Sequence, residues 1–94
     1  MSFYQEALDN FEKNEFELSI KYLEKNIVFN PKSSESYILL GKSYSAMDNV
    51  DKANKYFKIA YTLIPENVEL NYLLGEASYN LGLIEEYAEY LSNL

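Results

Sequence analysis

The sequence repeats itself at an interval of 34 residues. Leu39-Leu40-Gly41 recurs as Leu73-Leu74-Gly75, and the same shift lays Pro31 on Pro65. Four identities of different chemical kinds thus hold one register. Self-similarity at such a period marks a stacked architecture, in which each unit buries its apolar face only against its neighbours. We divide the 94 residues into units of about 1–33, 34–67 and 68–94. Together they make one small domain with no linker.

Each unit reads as two helices. Tyr37, Leu40 and Tyr44 recur at helical spacing and predict a helix from Ser34 to about Ala46, capped by Ser33 or Ser34. Met47-Asp48-Asn49 is the turn. Asp48 or Asn49 then caps a second helix whose buried stripe is Ala53, Phe57, Ala60 and Leu63 or Ile64, with Lys52, Asn54, Lys55 and Lys58 largely on its other side. Pro65 ends it. The last unit repeats the plan, with Asn67 as cap, a turn at Leu81-Gly82 and a final helix from about Ile84. Gly41 and Gly75 fall inside helices, where glycine costs about 1 kcal/mol relative to alanine. We therefore expect the second helix of each hairpin to approach them closely.

These residues resemble the tetratricopeptide repeat family. Tyr37, Leu40, Gly41, Tyr44, Ala53, Phe57, Ala60 and Pro65 match its pattern of aromatic, Leu-Gly, Tyr, Ala, Phe, Ala and Pro. The flanking units match less well. Ser19 and Asn26 stand where alanine is usual, Asn71 replaces the aromatic, Ser78 replaces Tyr and Tyr87 replaces Ala. The resemblance implies an all-α fold, a right-handed α-solenoid of three helix-turn-helix repeats. The extra helix that commonly closes the C-terminal end of such arrays is missing from the pattern.

Catalysis has little material. Histidine and cysteine are absent, which removes the usual general base, the thiol nucleophile and the soft metal ligands. Glu85, Glu86 and Glu89 sit together, but in the first turns of a predicted helix, where the helix dipole favours negative charge. The glycines are scattered singly and cradle no phosphate. We expect no enzyme activity, no cofactor and no metal.

Charge narrows the partners. Fifteen acids against eight bases give a net charge of −7, and the last unit holds five acids with no Lys or Arg. That balance opposes nucleic acid and anionic membranes. No apolar run is long enough to span a bilayer, and the acidic N-terminus does not read as a signal peptide. A cytoplasmic protein is the expectation.

The resemblance further implies that the first helix of each unit lines a concave groove holding a peptide or helix. Counting from Gly41 and Gly75, the inward residues are Ile38, Leu39, Lys42, Ser45 and Ala46 in the middle unit. They are Tyr72, Leu73, Glu76, Tyr79 and Asn80 in the last, and Tyr4, Gln5, Leu8, Phe11 and Glu12 in the first. Family members that hold acidic chaperone tails use a clamp of Lys, Asn and Arg there. This chain has no Arg, and only Lys42 is placed to serve. An apolar or amphipathic segment with basic neighbours fits the lining better. The alternative is self-association: Tyr87, Tyr90, Leu91 and Leu94 predict an apolar strip at the unclosed end, suited to a homodimer.

Overall fold

The computed structural model describes residues 2–94. Six helices follow one another: α1 (Phe3–Glu12), α2 (Phe16–Phe29), α3 (Ser34–Ala46), α4 (Val50–Leu63), α5 (Val68–Asn80) and α6 (Ile84–Ser92). They pack as three hairpins, α1 with α2, α3 with α4 and α5 with α6, and successive hairpins join through α2 on α3 and α4 on α5. The stack measures 39 × 24 × 18 Å. Among the described residues no helix is long and apolar enough to cross a membrane.

The repeat is written into the turns as well as the helices. Asn14, Asp48 and Gly82 stand 34 residues apart, and their φ angles are 62°, 61° and 74°. Beside them the amides of Glu15, Asn49 and Leu83 reach back to the carbonyls of Asn10, Tyr44 and Ser78 at 2.8, 2.9 and 2.9 Å. Each first helix thus ends in the same left-handed cap, which satisfies carbonyls the helix leaves open. With Asp48 spent on the cap, Asn49 starts α4, accepting from the Lys52 amide at 3.2 Å. Asn67 starts α5 by accepting from Leu70 at 2.8 Å. Ser33 precedes α3 but makes no side-chain cap bond; its hydroxyl turns to Glu35 and Ser36.

The core runs through the hairpins as Ala7, Leu23, Leu40, Ala53, Phe57, Ala60, Leu70 and Leu74, all essentially inaccessible. Where the outer units depart from the family pattern, hydrogen bonds account for most of it. Ser19 donates to the Ala7 carbonyl at 2.9 Å, and Asn26 donates to the Ser36 hydroxyl at 2.8 Å across the α2–α3 junction. Tyr37 donates to the Pro31 carbonyl at 2.7 Å, and Asn71, at the equivalent place, donates to the Pro65 carbonyl at 2.8 Å. The two side chains share one acceptor, so Asn71 keeps the bond while giving up the ring.

Two expectations need correction. Asn54 is buried at 6% exposure rather than on the open side of α4; α4 is covered on both flanks, so its polar face narrows to the lysines. The glycines also differ from each other. A Cβ on Gly41 would collide with the Phe57 ring, whereas one on Gly75 would meet only the Tyr90 Cβ at 3.9 Å. Close approach therefore explains Gly41 but not Gly75, because Leu91 stands at the place of Phe57 in the last unit.

Candidate functional site

Two hollows lie along the first helices. One, of about 180 Å³, is lined by Tyr4, Leu8 and Phe11 of α1, Ile38, Leu39 and Lys42 of α3, and the carboxylates Glu35 and Glu69. It brings together six of the ten groove residues expected from sequence. Leu39 contributes only an edge, since it is 4% exposed and belongs to the core. The helical phase turns it further inward than its place in the register suggested.

The other hollow, of about 270 Å³, lies between α5 and α6 and is lined by Asn71, Tyr72, Gly75, Glu76, Tyr79, Tyr87, Leu91 and Leu94. Residues expected in two separate places, the groove and the self-association strip, here share one depression. Tyr72, Tyr79, Leu91 and Leu94 are all exposed, and the Tyr79 and Tyr87 rings lie 5.4 Å apart. Leu73 instead packs partly against the core. Tyr90 is corrected outright: it is 4% exposed, with its ring edge-on to Tyr61 at 5.3 Å. The α6 helix turns Tyr90 onto α4 and leaves Tyr87, Leu91 and Leu94 facing out.

Electrostatics sharpen the contrast between the lysines and the acids. Lys42 is bound to Glu69 at 3.0 Å and Lys58 to Glu86 at 2.6 Å. Lys25 lies over Phe3 and Tyr22, Lys52 over Tyr44 and Lys55 over Tyr56, each a cation–π contact that fixes its stem along an aromatic face. The Tyr4 hydroxyl is pushed above its ordinary pKa by burial, then by the nearby charges of Glu35 and Glu69. Tyr90 is pushed up to about 12, by burial first and then by Glu86, Glu89 and Tyr61. Among the described residues no cluster of three acids is placed to hold a metal ion.

Sequence reasoning missed the merging of the two residue sets. Its signal was present in the register: Tyr87, Leu91 and Leu94 lie 34 residues after Ala53, Phe57 and Ala60, all of which another helix covers.

The architecture is that of an α-solenoid built from helical hairpins. It is the tetratricopeptide-repeat fold, and the chain is a three-repeat example of it. A crystal structure of MamA superposes at a TM-score of 0.91 with 25% identity, over 97% of this chain and 53% of that one. The Yersinia enterocolitica type III secretion chaperone SycD, in complex with a peptide of the translocator YopD, superposes at 0.89 with 18% identity, over 97% and 70%. The first TPR of Spaghetti (RPAP3), bound to the HSP90 peptide SRMEEVD, superposes at 0.90 with 14% identity, over 97% and 72%. Among curated proteins, the BBSome complex member BBS4 of Bos taurus is 38% identical over 58 residues. That match takes in 62% of this chain and 11% of BBS4, so the chain spans about a tenth of its curated relative and about half of MamA. No family model matches the chain.

Proposed function

We propose that residues 1–94 act as one non-catalytic protein-interaction module, which holds an apolar or amphipathic segment of a partner along α1, α3 and α5. The observation that carries this reading is the hollow in which Tyr4, Leu8, Phe11 and Ile38 converge from two helices. Structures of the same fold are described with a bound peptide, of YopD in one case and of HSP90 in another. An acidic tail is a poor fit here. Lys42, the one cation at this hollow, is neutralised by Glu69 at 3.0 Å, and the wall is otherwise apolar or acidic.

The test is selection of displayed peptides against the purified chain, repeated with a Leu8→Asn/Ile38→Asn variant. Both side chains are half-buried, so far-UV circular dichroism must first show that the variant keeps its helicity. Apolar or basic amphipathic sequences are expected with the parent and none with the variant. Equal enrichment from both proteins would remove the groove from consideration.

Self-association is the second reading, and it rests on the exposed Leu91 and Leu94. It no longer has Tyr90 to draw on.

A further inference from the structure

The second helix of each hairpin carries three residues in one register. Ser19, Leu23 and Asn26 on α2 are buried, as are Ala53, Phe57 and Ala60 on α4. In both cases the next helix packs on that hairpin, α3 on α2 and α5 on α4. The same register on α6 names Tyr87, Leu91 and Leu94, and here Leu91 and Leu94 are 52% and 57% exposed. A surface covered twice by a following helix is bare the third time. Gly75 deepens it, because nothing fills the space that the Phe57 ring occupies over Gly41.

We propose that this end of the solenoid is a binding site distinct from the groove, and that its occupant is an amphipathic helix of another protein with a basic first turn. The inner junctions show what such a helix must carry. On α3 the inward residues at equivalent places are Ser36, Leu40 and Ser43, and on α5 they are Leu70, Leu74 and Ala77; all six are buried. Just before Leu70, Glu69 reaches back to Lys42 of α3 at 3.0 Å. At the open end the place of Lys42 is taken by Glu76, which is exposed, in a unit with five acids and no base. The charge of the junction is therefore inverted. The fitting helix reads Lys or Arg, then Leu, then Leu four residues on, then a small residue three beyond that.

The same register argues against a second copy as occupant. Head-to-tail stacking would seat α1, whose residues at the equivalent places are Ser2, Glu6 and Asp9, a polar and acidic face. Tail-to-tail pairing would press two all-acid units together. A basic helix from a different protein meets both the shape and the charge.

The probe is a 13-residue peptide with the α5 sequence, Val68–Asn80, in its natural form and with Glu69→Lys. It is stapled on its outer face because so short a helix is marginal alone. Each is titrated into the ¹⁵N-labelled chain at low salt. The Glu69→Lys peptide is expected to bind about threefold tighter than the natural one, as befits one exposed ion pair. Shifts should centre on the amides of Gly75, Tyr79, Leu91 and Leu94. In the Glu76→Lys chain the preference should reverse, which general stickiness would not produce. Leu91→Glu, at an exposed position, should abolish binding while the melting temperature stays close to the parent's.

Absence of shifts at α5 and α6 with either peptide would overturn the proposal. So would shifts gathered at Tyr4, Leu8 and Ile38, which would leave the groove reading intact. A concentration-dependent mass of the chain alone, lost in Leu91→Glu, would show that a second copy covers this end and would also overturn it.

Discussion

Gly41 and Gly75 show how the same letter at the same register serves different ends. The Phe57 ring occupies the space of a Cβ on Gly41, while Gly75 has only the Tyr90 Cβ at 3.9 Å. Gly41→Ala should therefore destabilise the fold by about 1–3 kcal/mol through overpacking. Gly75→Ala should stabilise it by up to about 1 kcal/mol, the helix-propensity gain. Thermal melts of the two variants check this, and shifts of the same sign would remove the distinction. Tyr90 adds a pH signature. Its pKa rises from 10.0 to about 12 in the fold, so the unfolded chain gives up this proton first as pH climbs. Stability held below pH 10 is then lost as pH rises toward 12. Melting temperatures between pH 9 and 11.5 should fall, and fall less steeply in Tyr90→Phe. The sequence made the burial of Leu40 and Phe57 legible, because their neighbours at helical spacing are apolar. It did not reveal the burial of Tyr90 or Leu39, since helix phase near an end is set by which neighbouring helix is present rather than by the local pattern.

At the scale of elements, the caps carry much of the information. The turn residues Asp48 and Gly82 were readable as turns, but not as members of one left-handed series with Asn14, because three different residue types fill the place. What unites them is tolerance of positive φ: glycine has no Cβ, and Asn and Asp bear the strain better than most. Gly82→Ala should cost about 1 kcal/mol, and Asp48→Gly should give back part of that strain. Denaturant midpoints of both variants test the series. Loss of the Asn67 cap should cost about 1 kcal/mol as Asn67→Ala, visible in the same measurement. The departures at Ser19, Asn26 and Asn71 looked like weakness in the pattern. In the structure each makes a hydrogen bond across its packing interface or to the preceding turn, a pairing no single sequence position discloses.

Over the whole molecule the stack is unequal along its length. The α3–α4 hairpin has neighbours on both sides, whereas α6 packs chiefly on α5. Arrays of this kind open from their less supported units. Native-state hydrogen exchange should find α6 opening first and the amides around Leu40 and Phe57 last; uniform protection would mean that the chain unfolds as one unit. The groove was legible from sequence because its register follows the repeat directly. The end hollow was not, because it arises from what fails to cover α6. The shared spacing of helix limits and turns has one more consequence. A single inserted residue inside α3 would rotate everything beyond it by about 100° and break both junctions at once. Adding or removing a whole unit would leave every remaining junction as it was. Length in such a chain is quantised: it tolerates change by a whole repeat far better than by a single residue.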